Sequence, residues 1–205
     1  MIETGRDSET GDDIQTEIES LTRPRYSYTD ADYLAGVTRG TSRRWLSGYT
    51  SFDAKHQRVA QPPVTLGVER EGGVSFLDLV EVVAIGRLRT LGWTLGHIRQ
   101  IVRNCQDLLR VDRPLVTLRF KTGGREIFVD RGEVLLEVGR RKRMQAWNEV
   151  LGPFLEELDY DAHELARRWW PLGKTAPILV DPDQGFNVSK EEVQRALQFE
   201  LNRAA

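Results

Sequence analysis

The chain is poor in the residues that most often carry chemistry. Cys105 is the single cysteine among 205 residues, so no internal disulfide, CxxC redox pair or thiolate zinc site can form. The three histidines, His56, His97 and His163, lie far apart, which excludes an H-E-x-x-H metal helix. There is no Gly-rich phosphate loop, no G-x-S-x-G and no Ser/His/Asp grouping. Catalysis therefore has no positive support, and the expectation is a non-enzyme without cofactor or metal. No apolar run of about 18 or more residues occurs, so no membrane-spanning helix is expected. The acidic N-terminus lacks an apolar signal core, which points to the cytoplasm.

What is present is a globular composition with strongly segregated charge. Hydrophobic residues make up 40% and charged residues 29%, and 29 Lys plus Arg face 31 Asp plus Glu, for a formal charge of −2. A protein basic overall is excluded, but a locally basic one is not. Residues 1–20 hold seven acids (Glu3, Asp7, Glu9, Asp12, Asp13, Glu17, Glu19) against Arg6, and read as a mobile acidic tail. Residues 23–58 reverse the sign: Arg23, Arg25, Arg39, Arg43, Arg44, Lys55 and Arg58 face Asp30, Asp32 and Asp53.

Within that basic stretch Thr29 can cap a short helix from Asp30 to about Ala35, and Thr41 a second from Ser42 to about Leu46, ended by Gly48. Two short helices around the Gly36-Val37 turn form a helix-turn-helix pattern. Alternating Val64, Leu66 and Val68 predict a strand or hairpin. Ser75, with Asp78 at capping-box distance, starts an amphipathic helix carrying Phe76, Leu79, Val80, Val83, Ala84, Leu88 and Leu91. Thr94 caps another, with Leu95, Ile98, Ile101, Val102, Cys105, Leu108 and Leu109 on one face. Beyond Pro114, Leu115–Phe120 and Glu126–Val129 flank a glycine turn and predict a hairpin, which Glu133–Val138 extends. Met144–Leu155 reads as a helix interrupted at Gly152-Pro153. Leu158, Tyr160, Leu165 and Trp169 predict a second hairpin, Ile178–Val180 a short strand, and Ser189 caps a last helix.

If Ser42–Leu46 is a recognition helix, Arg43 and Arg44 can reach phosphates or guanine edges, and Thr41 and Ser42 can hold a phosphate at its N-terminus. Arg39 precedes it, and Lys55, His56 and Arg58 follow on a wing. A solvated basic turn is the competing reading. Trp45 suits the core, as do His97 and Cys105. Arg140–Arg143 suits a nucleic-acid or acidic-partner contact, or a solvated helix start. The acids Glu149, Glu156, Glu157, Asp159, Asp161 and Glu164 suit a solvated edge better than a metal site. Trp169 and Trp170, as strand neighbours, point to opposite faces, so one can enter the core and the other mark a protein interface, and burial of both between modules is the competing reading.

At Tyr28–Val37, Thr41–Trp45, Val74–Leu79 and Leu88–Ile98 the chain resembles a MerR-type winged helix over roughly residues 26–110. At Arg167–Pro171, Pro177–Pro182 and Val188–Glu200 it resembles mycobacterial VapB-type antitoxins, shortened between Phe186 and Asn187. The resemblance implies an α+β fold: an acidic tail (1–24), a MerR-like winged helix-turn-helix (25–112), a β-hairpin-rich dimerisation or linker region (113–171) and a short helical toxin-binding module (172–205). It further implies an antitoxin that neutralises a PIN-like ribonuclease toxin through Trp169, Trp170, Arg195, Phe199 and Arg203, and autorepresses its operon by binding operator DNA. The assembly would be a homodimer or a toxin–antitoxin hetero-oligomer, away from membranes. The alternative is a stand-alone MerR-like transcriptional regulator with a ligand-sensing C-terminal half, its pocket lined by Phe154, Trp169 and Trp170.

Overall fold

The computed structural model describes residues 15–16, 18–65, 72–130, 140–176 and 178–184. Among these it shows an α+β fold of seven α-helices and two small antiparallel hairpins. No helix among the described residues is long and apolar enough to cross a membrane.

The first helix, α1 (Tyr28–Leu34), starts two residues before Asp30, because Ser27 rather than Thr29 is its cap. The Ser27 hydroxyl accepts from the Asp30 N–H at 3.1 Å while the Asp30 carboxylate accepts from the Ser27 N–H at 3.2 Å, a reciprocal capping box. Helix α2 (Thr41–Ser47) follows Gly40, which sits at φ +83° and offers no side-chain cap. Gly48 ends it at φ +79°, where an added Cβ would lie 2.6 Å from the Gln61 carbonyl oxygen.

Strands β1 (Tyr49–Phe52) and β2 (Arg58–Gln61) then form a hairpin, with Tyr49 opposite Gln61 and Phe52 opposite Arg58. This replaces the strand expected at Val64, Leu66 and Val68. Turn chemistry decides it: the Asp53 carboxylate accepts from the Lys55 and Gln57 N–H groups at 2.8 Å each, and His56 takes φ +58°. Val64 is instead a buried residue whose N–H donates to the Trp45 carbonyl at 2.8 Å; Leu66 and Val68 lie outside the described residues.

Helix α3 (Phe76–Thr90) carries the expected Ser75–Asp78 capping box. It is not amphipathic, however. Twelve of its 15 residues are buried, so it runs through the core rather than along its edge. Helix α4 (Leu95–Leu109), capped by Thr94, buries one stripe of Ile98, Ile101, Val102 and Cys105. Leu108, expected on that stripe, is half exposed.

The middle region departs most from expectation. Leu115–Val129 is helical, not a hairpin: a 3-10 turn (Pro114–Val116), α5 (Leu118–Arg125) and a π-turn (Glu126–Asp130). Thr117 caps α5 by accepting from the Phe120 N–H at 3.2 Å. Gly124 is not a hairpin glycine; an added Cβ there would collide with the Phe120 ring. Helix α6 (Arg140–Ala146), a π-turn (Trp147–Leu151) and α7 (Gly152–Glu156) follow, with Pro153 in the first turn of α7, where its missing N–H costs nothing. Among its described residues the region 113–171 is therefore mainly helical, and β3 (Leu158–Tyr160) pairs with β4 (Ala166–Trp169), as the alternation predicted. Val180 makes a single bridge to Trp169 rather than a strand. Of the acidic tail expected over 1–24, residues 18–22 are helical with Leu21 buried in the core, so this part is not a loose tail; residues 1–14, the Glu133–Val138 extension and the last helix lie outside the described residues.

One hydrophobic cluster runs from Leu21 through α3 to Trp169. Within it Trp93 stacks on Phe128 at 5.3 Å, and Phe120 meets the edge of Trp147 at 5.4 Å. The α1–α2 pair and the region after Pro114 thus share a core.

Candidate nucleic-acid interface

The turn between α1 and α2 is organised by a residue that composition alone does not single out. Asp32 is buried, and its carboxylate accepts from the N–H groups of Gly40 (2.5 Å) and Ser42 (2.7 Å). Gly40 brings no side chain, so the carboxylate supplies the missing cap and places negative charge at the positive end of α2. The Ser42 hydroxyl donates to the Tyr28 carbonyl at 3.0 Å and is fully buried. Two expectations are corrected by this. Ser42 faces the interior, and the N-terminus of α2 already holds an anion, so Thr41 and Ser42 do not form a phosphate site. Trp45 and Leu46 face inward, as expected for Trp45. Opposite them Gly86 of α3 permits close approach: an added Cβ would lie 3.1 Å from Val37 Cγ1 and 4.0 Å from the Trp45 ring.

Arg39, Arg43 and Arg44 point the other way, into solvent. Arg43 lies over the Tyr28 ring at 5.7 Å and Arg44 over the Tyr49 ring at 4.4 Å. Such contacts are worth about 0.5–1 kcal/mol at exposed sites and limit the wandering of long side chains. Lys55 and His56 stand at the tip of the β1–β2 hairpin, with Arg58 on β2 beside a 66% exposed Phe52. Among the described residues, Arg39, Arg43, Arg44, Lys55 and Arg58 make no ion pair. The wing base is fixed to the body, because Arg99 of α4 donates to the carbonyls of Pro62 (2.7 Å) and Pro63 (3.2 Å). Of the eight expected residues, Arg39, Arg43, Arg44, Lys55, His56 and Arg58 are exposed, Thr41 is half-buried and Ser42 is buried. Tyr28, Tyr49 and Asp32 escaped sequence reading, although Asp32, eight residues before Gly40, was available as an acid with no cationic neighbour at helical spacing.

The expected toxin contacts divide differently. Trp169 is buried, and its indole N–H donates to Glu157 at 3.0 Å, so it is a core residue and not an exposed anchor. Trp170 is half-buried, its N–H donating to Asp159 at 2.8 Å. Arg195, Phe199 and Arg203 lie outside the described residues. Phe154 is also fully buried; the shallow depression nearby, about 580 Å³, is lined by Pro153, Glu156, Glu157, Leu172, Gly173 and Lys174 rather than by Phe154, Trp169 and Trp170.

The acidic residues of this half are mostly engaged with cations. Glu157 takes a two-pronged contact from Arg87 (2.7 and 2.8 Å), Glu156 pairs with Lys121, Asp159 with Lys174 and Glu164 with Arg119. Among the described residues no group of acids, histidines and cysteine is arranged to hold a metal ion. Arg143 is buried and donates to the Val129 carbonyl, whereas Arg141 and Lys142 are exposed. His97 sits edge-on to Trp93. Burial pushes the Cys105 thiol up to about 12, which removes it as a nucleophile. Burial likewise pushes the Glu81 carboxyl up to about 7, against the opposing pull of Arg113 at 3.7 Å. Burial also acts to raise Asp78, but its contacts with Arg113 and Ser75 outweigh this and hold the carboxyl below its usual range.

Comparison with family models and with curated proteins finds no match. Among solved structures the chain is similar to the X-ray crystal structure of Rv2018 from Mycobacterium tuberculosis, at TM-score 0.57 and 17% identity over 89% of this chain and 88% of that one. At this identity the likeness shows the fold alone, which is that of the Mycobacterium tuberculosis protein over nearly its full length.

Proposed function

We propose that the chain binds operator DNA through a MerR-like winged helix-turn-helix made of α1, α2 and the β1–β2 wing. In this reading it is the antitoxin of a type II toxin–antitoxin system, autorepressing its operon and neutralising a PIN-like ribonuclease. One observation carries the DNA-binding half: Arg43 and Arg44 are exposed, without carboxylate partners among the described residues, and held over Tyr28 and Tyr49 beside a cationic wing. An anionic, extended partner suits that surface better than solvent alone, since phosphate contacts supply most of the affinity of such proteins. A twofold assembly would present two such readers to a palindromic operator.

The test is a salt series on operator-region DNA. Arg43→Ala with Arg44→Ala should lower the log–log salt slope by about 0.9 per lost phosphate contact. An unchanged slope removes both residues from the interface. The neutralising half rests on the resemblance of residues 167–200. It predicts co-purification with a small ribonuclease encoded beside this chain, lost on deleting residues 187–205 while some DNA binding survives. The depression beside α7 keeps one second reading in play, a stand-alone MerR-like regulator with a ligand-sensing C-terminal half. Effector-dependent release from DNA in the absence of any toxin would favour it.

A further inference from the structure

Helix α3 holds an acid in its middle that neither capping nor ion pairing explains. Glu81 is wholly buried, and among the described residues neither oxygen of its carboxyl takes part in a hydrogen bond. The groups that close over it are unsatisfied too. Arg113 bonds Asp78 through Nη2, leaves Nη1 without a partner and stands 3.7 Å from Glu81. The hydroxyl of the buried Thr65 acts on the carboxyl without completing a hydrogen bond. We infer that Glu81, Arg113 and Thr65 form a proton-operated latch that fastens two segments onto α3: the one leading out of the β1–β2 hairpin and the exit of α4. The latch stands on the fold and is independent of the DNA-binding reading.

Placement is the first argument. Thr65 follows Val64, whose N–H hangs from the Trp45 carbonyl of α2 at 2.8 Å, and the Pro62 and Pro63 carbonyls held by Arg99. Arg113 lies three residues past Arg110, which ends α4 at φ +54°, and directly before the Pro114–Val116 turn. The cluster therefore sits where the hairpin's exit, α3 and the start of the middle region meet. Isolation is the second. The charged groups acting on Glu81 are Arg113 and, on its own helix, Asp78. Those on the elements packed around α3 are engaged elsewhere or turned outward. Asp32 holds the Gly40 and Ser42 N–H groups, His97 meets the edge of Trp93, and Arg167 and Arg168 pair with Asp183 and Asp181. Arg43, Arg44, Arg103, Asp107 and Glu149 are exposed.

The chemistry of a buried acid supplies the switch. Burial outweighs the pull of Arg113 and pushes the Glu81 carboxyl up to about 7, so the closed cluster holds a proton. Above that value the proton passes to solvent. The carboxylate left behind is then met either by entering water or by Arg113 leaving Asp78, and both routes part the segments that cover it. The closed form is favoured below the raised value and weakened above it. With an ordinary value of 4.5 once opened, linkage makes opening about tenfold more favourable at about pH 8 than at about pH 6.

Hydrogen exchange of the full-length chain, followed amide by amide by NMR, is the test. The reporters are Val64, Val111 and Val116, whose N–H groups donate to the Trp45, Gln106 and Arg113 carbonyls. The reference is the buried centre of α3 at Val82 and Val83. Protection of the reporters, corrected for the intrinsic rate, should fall about tenfold between about pH 6 and about pH 8. It should stay below that of Val82 and Val83 and respond little to dilute urea, as a local opening does. Glu81→Gln, which keeps the shape of the protonated side chain, should abolish the fall. Glu81→Met, apolar and of similar length, should do the same and serves where the amide variant does not fold. No fall in the wild type, or a fall that persists in the variants, overturns the inference. Reporters that exchange together with Val82 and Val83 at both pH values, with the same urea dependence, overturn it as well. Glu81 then tunes the stability of the whole fold and fastens neither segment.

Discussion

Replacing Asp32 offers the sharpest check on how the α1–α2 helix pair is built. Its carboxylate is buried and receives the Gly40 and Ser42 N–H groups at 2.5 and 2.7 Å. Hydrogen bonds to a charged group contribute about 1.5–3 kcal/mol each. The two share one acceptor group, so they do not simply add, and loss of a helix cap alone costs about 0.5–2 kcal/mol. Asp32→Ala strips both donors of their partner at the start of α2. A loss of about 2–4 kcal/mol follows, a large part of the ~5–15 kcal/mol that holds a domain together. Asp32→Asn keeps one acceptor but turns an amide N–H toward the other donor, and should lose about half as much. Urea unfolding followed by tryptophan fluorescence reads both, since Trp45 sits on α2 itself. The order wild type, Asp32→Asn, Asp32→Ala is the expected outcome. A loss below about 0.5 kcal/mol for Asp32→Ala would mean that water caps α2 equally well, and that Asp32 does not hold the two helices together. Under conditions where Asp32→Asn is fully folded, its DNA affinity should also fall, because Arg43 and Arg44 ride on the helix it caps.

Gly86→Val should destabilise by about 1–3 kcal/mol through overpacking against Val37 and Trp45, measured as a lowered Tm, whereas Gly86→Ala should be near neutral because its helix-propensity gain of about 1 kcal/mol offsets the tight 3.1 Å contact. Glu81 predicts the pH dependence: its carboxyl is raised to about 7 in the fold, so the stability it contributes is complete below its unfolded value near 4.5 and is lost as pH rises through 7. Glu81→Gln should therefore flatten the fall in unfolding free energy between about pH 5 and 8, and an unchanged slope in denaturant titrations would assign that fall to other groups. Arg87→Lys should recover little of the stability lost in Arg87→Ala, because only a guanidinium fork meets both oxygens of Glu157; equal recovery in thermal melts would reduce the contact to simple charge.

The legibility of the sequence follows the range of the forces at each element. Ser75 and Thr94 announced their helices because caps act within four residues, and the β3–β4 hairpin was visible in its own alternation. Arg43, Arg44 and the inward Trp45 were readable for the same reason. Thr29 misled because Ser27 offers the same oxygen two residues earlier with Asp30 at the right distance for reciprocity. The Leu115–Val129 segment looked like a hairpin because Gly123-Gly124 resembles a tight turn. Its true use, clearance for the Phe120 ring, is a tertiary fact: Phe120 is anchored by Trp147, 27 residues away. Ser42 and the N-terminus of α2 were misassigned for a related reason. An open helix end and an end closed by a carboxylate ten residues upstream have the same local sequence.

The placement of the cations is the stronger argument for a polyanionic partner than their number. Arginine is common throughout the chain, and part of it is engaged: Arg113 bonds Asp78 at the buried end of α3, Arg87 grips Glu157, and Arg168 reaches a buried Asp181 at 2.8 Å, while Arg103, Arg110 and Arg141 are exposed. A carboxylate lies close to α2 too, in Asp32, but its oxygens are taken by the backbone N–H groups of Gly40 and Ser42. Asp53 is likewise spent on the wing turn. Asp32 and Asp53 thus shape the local backbone without pairing with Arg43 or Arg44. On the DNA-binding proposal, duplex phosphates are the anion that would meet Arg43 and Arg44.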